Sequence, residues 1–409
     1  MRFNTALLHK NNGPDRATGA THTPIYQSSA FEHKTAEELE AIFNNRAPGF
    51  SYTRINNPTV EAFERRVAAL EGGIGAVACA SGMAAISLSV LNLLSAGDEI
   101  LSAAGIFGGT IGLFRDLECY GITTRYVADS TPESFENQII GRTKLIFVET
   151  IGNPKLDVPD ISALSEMAHR HKIPVIVDNT AATPFLVRPI ELGADIVVHS
   201  VSKYINGSGN SIGGIIVDSG NFDWDPERYP AIAKFVRFGE FAYLSKLRGG
   251  LFRNTGSCFS PFNAFLCSLG LETLGIRMER LCGNAQKLAQ QLSDNPKLAY
   301  VNYPGLESSP WHQTARRQFS GGYGAILTLR AGTKENAFFI INHLKYACNI
   351  ANIGDLRTLV IHPASTIYAN SSTMEKENAG VYEDLIRVSV GLEDIEDLTE
   401  DFENAVGGL

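Results

Sequence analysis

The sequence predicts an α/β fold built on a mostly parallel sheet, and three observations predict it. Short apolar runs alternate with amphipathic stretches from about residue 61 onward. Several of those runs end in a polar or charged residue, which is where an open parallel sheet presents its ligand groups. At 409 residues the chain exceeds the size at which a single core usually stops growing.

Residues 1–60 are rich in polar and turn-forming groups and carry one helix signal, TAEELEAIF, so they read as an arm rather than a self-sufficient core. Over 61–255 the runs GAVACA, DEILSA, TRYVA, KLIFVE, PVIVDN, DIVVHS and GGIIVD predict strands. SGMAAISLSVLNLL and DISALSEMAHRH predict two of the helices between them. Strand, helix, strand in that order implies right-handed crossovers and a large domain with a parallel sheet. Over 256–409, a long stretch of helical spacing from FSPFNAF to KLAQQL joins the strand-like AILTLR and LIRVSV, which predicts a smaller α+β C-terminal domain.

Composition excludes several classes. With 44% hydrophobic and 19% charged residues the chain is ordinary globular material. A formal charge of −9, with no run of lysines and arginines, argues against nucleic acid as a partner. The six cysteines show neither a Cys-x-x-Cys pair nor zinc-like spacing, so no metal and no disulfide framework is expected. MRFNTALLHKNNG lacks the apolar core and cleavage site of a secretory signal, and no stretch reaches the ~20 apolar residues of a membrane span. A cytoplasmic protein with no membrane partner is expected.

The segment ADIVVHSVSKYINGSGNSIGG carries most of the chemistry. An apolar strand ends at His199, and Lys203 follows among hydroxyls and glycines. A solvated loop lysine is the plain alternative. The neighbouring run ends at Asp178, and the 25 positions from there to Lys203 accommodate a turn, a short helical passage and one more strand, which brings both residues to one sheet edge. Pyridoxal 5′-phosphate (PLP) chemistry needs this pair: an amine for the cofactor's aldehyde, and a carboxylate that keeps the pyridine nitrogen protonated. In ASGMAA a strand runs straight into a helix at Ser81, Gly82 and Met83, which would offer phosphate the unpaired amides of a helix N-terminus. Ser200 and Ser202 could add hydroxyls. A simple turn explains the same letters. Nucleotide motifs are absent: there is no G-x-x-x-x-G-K-[ST], and Ile212 occupies the last position of a would-be G-x-G-x-x-G.

SGMAA, FVETIGNPKLDVPDI, VDNT, HSVSKYINGSG, SPFNAF, LETLGIRMER, NIGDLRTLVIHPAST and RVSVGLED, in this order, resemble the Cys/Met-metabolism family of PLP enzymes over nearly the whole chain. The resemblance implies PLP fold type I, the aspartate-aminotransferase-like architecture, and a homotetramer of dimers with shared active sites. It makes Lys203 the catalytic Schiff-base lysine, Asp178 the pyridine partner and Thr180 a hydroxyl near the ring. Gly82, Met83, Ser200 and Ser202 become the phosphate cup, and Tyr52 and Arg54, in SYTRINNPT, reach the neighbouring subunit's phosphate. Asn153, Asn352 and Arg387 become substrate-binding residues, with Arg387 clamping a carboxylate.

The resemblance also implies the reaction. NIGD with HPAST is most similar to the branch that acts on O-acetylhomoserine, by γ-replacement with sulfide or a thiol to give homocysteine or methionine and acetate. The alternatives are γ-elimination, as in methionine and cystathionine γ-lyases, or cystathionine γ-synthesis. A PLP-binding chain without turnover is a third. The chain departs from the family at two places. Phe107 stands in IFGGT where the family has a tyrosine over the ring, with Gly109 two residues on, where methionine γ-lyases carry a thiol. HPAST continues with Ile367 and Tyr368, where the branch has Thr-His. Phenylalanine can stack but has no hydroxyl for proton transfer, so Tyr368 or a water is expected to supply one.

Overall fold

The chain is described from a computed structural model that covers residues 1–15, 18–44 and 46–409. Seven strands make the larger sheet: β1 Gly75–Cys79, β2 Glu99–Ala103, β3 Thr123–Val127, β4 Thr143–Glu149, β5 Val175–Asp178, β6 Ile196–His199 and β7 Gly214–Asp218. Their spatial order is β1-β7-β6-β5-β4-β2-β3. The runs from β4 to β7 are almost wholly buried, as strands covered on both faces must be, which is why they read as continuous Val/Ile segments rather than as alternation.

Parallel pairing links β3, β2, β4, β5 and β6, as expected. The last strand departs from it. β7 runs antiparallel to both β6 and β1, because residues 200–213 turn back in tight loops with no crossover helix between the two strands. β1 therefore runs in the direction of β6. The carboxyl ends of β1, β2, β4, β5 and β6 all face one edge, and the 200–213 turn that carries Lys203 lies on it.

Helix Pro58–Glu71 packs against β1 and β7. Asn57 caps it by accepting from the Thr59 N–H at 2.9 Å, Pro58 occupies the first turn, and Gly72 ends it with φ 84°. Its Val60, Phe63, Val67 and Leu70 bury against Val197, Val217 and Phe259. TAEELEAIF does form a helix, Ala36–Phe43, capped by Thr35, and a further helix, Phe3–His9, carries no signal beyond a short apolar patch.

After residue 255 the long helical stretch divides at Thr273 into Pro261–Glu272 and Leu274–Ser293. A second sheet of five strands follows: β8 Tyr300–Asn302, β9 Ile326–Arg330, β10 Cys348–Asn349, β11 Leu359–Ile361 and β12 Leu385–Ser389, in the order β10-β11-β12-β9-β8. It is antiparallel except for β10 and β11. Among the described residues, no helix is long and apolar enough to cross a membrane.

Candidate active site

Asp178 ends β5, and Glu149, at the end of β4, is its register partner, so the two carboxylates share one face of the sheet. Both are buried. Burial raises the pKa of each, and for Glu149 the neighbouring Asp178 charge raises it further. Hydrogen bonds oppose this: the Thr180 N–H donates to Asp178 Oδ1 at 2.9 Å, and the Phe107 N–H to Glu149 Oε1 at 2.7 Å. Thr180 Oγ1 accepts from the Ser200 N–H at 2.8 Å, which ties the exit of β5 to the exit of β6.

Lys203 sits in the turn beyond β6 with its ammonium largely removed from water. Desolvation, with Arg387 nearby as a like charge, lowers its pKa from 10.5 to about 8. Its Nζ donates to Asn352 Oδ1. Asn352 arrives on the NIGD turn, where Gly354 adopts φ 74° and lies so close to the lysine's backbone that a Cβ would fall 2.6 Å from the Tyr204 nitrogen. Beneath the turn, Arg277 donates from Nη1 to the Tyr204 carbonyl at 2.6 Å and from Nη2 to those of Ile205 and Gly270. Arg277 lies in the LGIRMER motif, yet nothing in its sequence context gives it a role. Only the packing of Leu274–Ser293 under the turn reveals it.

Arg387, in the middle of β12, is buried, which lowers its pKa to about 10. Nη1 donates to Asn153 Oδ1 at 3.0 Å and Nη2 to the Asn352 carbonyl at 2.9 Å. Its Nε is buried with no partner among the described residues. A guanidinium carries five N–H donors, so a fork held from two sides retains capacity for a planar anion. Asn153, Asn352, Lys203 and Arg387 thus form one connected group.

Ser81 caps helix Gly82–Leu91 by accepting from the Ala84 N–H at 3.1 Å, which leaves the amides of Gly82 and Met83 as the helix's first two donors, without an intrahelical acceptor. Ser200 lies directly against this end: a Cβ on Gly82 would fall 2.6 Å from the Ser200 Cβ. Ser202 differs from the expectation of a free phosphate ligand. Its hydroxyl accepts from the Gly213 N–H at 2.9 Å and donates to the Gly213 carbonyl at 3.2 Å, so its one hydrogen is already engaged.

Phe107 is half-buried at the start of helix Gly108–Glu118. Its ring lies over Gly109, where a Cβ would come within 2.5 Å of it, so a side chain at Gly109 would require the Phe107 ring to shift. Tyr368 corrects an expectation. The phenol is fully buried and its hydroxyl donates to the Ile106 carbonyl at 2.7 Å, while burial pushes its pKa far up. It braces the Phe107 loop from below, and a hydroxyl so engaged does not replace the missing one. Tyr52 is 42% exposed, and Arg54 donates to the Arg253 carbonyl. Among the described residues, neither bonds to Gly82, Met83, Ser200 or Ser202 within the chain.

These residues fit PLP. A desolvated amine lies in the turn beyond β6, a buried carboxylate ends the neighbouring strand β5, a helix N-terminus has been cleared of side chain at Gly82, and an anchored guanidinium keeps a buried donor unpaired. Comparison with known proteins gives the same answer independently. The chain is 42% identical to the homocysteine synthase of Schizosaccharomyces pombe, over 99% of this chain and 98% of that one. It is 41% identical to the O-acetyl-L-homoserine sulfhydrylase of Corynebacterium glutamicum, over 100% and 97%. A Campylobacter jejuni structure solved under the name O-acetylhomoserine (thiol)-lyase, with N′-pyridoxyl-lysine-5′-monophosphate in its chain, superposes with a TM-score of 0.94 at 34% identity, covering 100% of both chains. Residues 4–407 match the family described as Cys/Met metabolism PLP-dependent enzyme, and the chain belongs to that family.

Proposed function

We propose that this enzyme carries out γ-replacement on O-acetylhomoserine, with sulfide or a thiol as the incoming group and homocysteine or methionine and acetate as products. The observation that carries the reading is the end-to-end similarity to proteins named for this reaction, at 41–42% identity. The arrangement of Lys203, Asp178 and Arg387 supports it.

Bound PLP would supply an electron-withdrawing ring that accepts the electron pair left when a proton leaves the substrate carbon. Asp178 would hold the proton on the pyridine nitrogen, with Thr180 beside it. Gly82 and Met83 would give phosphate their amides, Ser200 its hydroxyl, and Ser202 its own only after turning from Gly213. Phe107 would stack on the ring. Arg387 would clamp the substrate's carboxylate, assisted by Asn153 and Asn352, which already hold its fork. Lys203, whose low pKa leaves a larger fraction as free amine, would take the proton from the substrate's α-carbon and return it later. Tyr52 and Arg54 would serve the partner subunit's phosphate, in a homotetramer of dimers in the cytoplasm. The exposure of Tyr52 supports this sharing.

Product analysis by mass spectrometry tests the reaction, with O-acetylhomoserine, O-succinylhomoserine, cystathionine or methionine, each with and without sulfide. Homocysteine from O-acetylhomoserine only when sulfide is present is the expected result. A 2-oxo acid and ammonia formed without sulfide would instead identify an eliminating lyase.

A further inference from the structure

Behind Asp178, on the opposite face of the sheet, lies a buried polar cluster that the reaction above does not use. Asp178 pairs in register with Val198, so the next residues of the two strands, Asn179 and His199, both point to the other face. There they meet Glu71, the last residue of helix Pro58–Glu71. One oxygen, Glu71 Oε1, accepts from His199 Nε2 at 2.5 Å and from Asn179 Nδ2 at 2.8 Å. All three side chains are within 1% of complete burial.

Such a cluster is expensive unless it does something, because a carboxylate in an apolar interior is tolerated only when charge-assisted donors surround it. Here the donors, both to Oε1, are the residues that leave β5, which ends at Asp178, and β6, beyond which the chain turns to Lys203, while Glu71 Oε2 has no partner among the described residues. We propose that Glu71 and His199 are a positioning pair for Asp178: the carboxylate gathers imidazole and amide at one oxygen, fixes the exits of β5 and β6 against each other, and keeps Asp178 ionised and in place for a pyridine nitrogen. This rests on Asp178 being the nitrogen partner, as read above.

The electrostatics agree with the geometry. Burial favours the protonated form of both carboxylates at the strand ends, and the Asp178 charge favours it further at Glu149, whereas His199 on β6 acts on Asp178 in the opposite sense. Glu71 Oε1, hydrogen-bonded to Nε2, fixes the position of that imidazole. Removing the Glu71 carboxylate therefore frees the ring that acts on Asp178 and loosens the tie between the strands.

The test uses the PLP-loaded protein and follows the pH titration of the cofactor's visible absorption band, together with PLP affinity. Asp178→Asn is the reference for a lost nitrogen partner. Glu71→Gln keeps the shape, and His199→Gln keeps a donor that cannot become charged. Both are expected to move the band's midpoint in the direction of Asp178→Asn and to weaken PLP by about tenfold, the equivalent of about one pKa unit. Glu64→Gln is the packing control: it removes another buried carboxylate two turns earlier on the same helix, bonded to the Ala78 N–H and Arg248. It is expected to titrate as wild type. If Glu71→Gln does not fold, His199→Gln carries the comparison.

The proposal is overturned if both variants keep the wild-type midpoint and affinity while Asp178→Asn is displaced, or if Glu64→Gln moves as far as they do. Should Asp178→Asn itself leave the midpoint in place, the assignment of Asp178 fails, and the pair's role fails with it.

Discussion

The Glu149 carboxylate at the end of β4 accepts the Phe107 N–H at 2.7 Å, so a buried acid beside Asp178 holds the residue that begins the next wall of the site. Phe107 is thereby fixed by its backbone, whatever its ring carries. Exchange of the ring for a phenol should leave the loop in place. We expect Phe107→Tyr to retain PLP and to change the ratio of elimination to replacement, since it restores a proton-transfer group worth about 10²- to 10⁴-fold in favourable settings. Phe107→Ala should weaken PLP by several-fold, the loss of a stacked face worth about 0.5–1.5 kcal/mol. Cofactor titration and product ratios check both. Wild-type behaviour in both variants would mean that Phe107 does not lie over the ring.

Lys203 has a pKa lowered to about 8, chiefly by desolvation. Only the neutral amine attacks an aldehyde, and for a base with a lowered pKa the neutral form is present above that value and lost below it. The rate of PLP loading into cofactor-free protein should therefore rise with pH and reach half its plateau near pH 8, not near 10.5. Borohydride should fix the cofactor to Lys203. A peptide map that placed it on Lys246, a half-buried lysine whose pKa is also lowered by desolvation, would contradict the assignment.

Sharing of sites between subunits predicts complementation. Arg54→Ala and Lys203→Ala should each be inactive alone. Random mixing of the two places one of each in half of the dimers, and each such dimer has one intact site of two, so about a quarter of wild-type activity should return. Verified heterodimers with no activity would show that each chain completes its own site.

Tyr368 is predicted to be a brace. Tyr368→Phe deletes the bond to the Ile106 carbonyl and should cost about 1 kcal/mol of stability by denaturant titration, with the product ratio unchanged. A changed ratio at unchanged stability would return the hydroxyl to the proton path.

By itself the sequence determined the alternation that builds the larger sheet, the strand ends at Asp178 and His199, the capped helix at Ser81 and Gly82, and the placement of Lys203 one turn beyond a strand. Each of these is local: apolar periodicity, a capping residue and a short spacing suffice to write them. Tertiary structure alone decided which distant residues meet. Asn352 reaches Lys203 across 149 positions, and Asn153 reaches Arg387 across 234. No spacing rule links them, because their contact depends on how the second sheet docks beside the strand ends. The same reason hid Glu149, Arg277 and the Glu71–His199 pair. Glu149 lies in FVETIGNPKLDVPDI, but its proximity to Asp178 follows from the β4–β5 register. Ser202 and Tyr368 are the converse: their residue types suit a phosphate and a proton, and in the folded chain backbone carbonyls that needed donors had already engaged both hydroxyls.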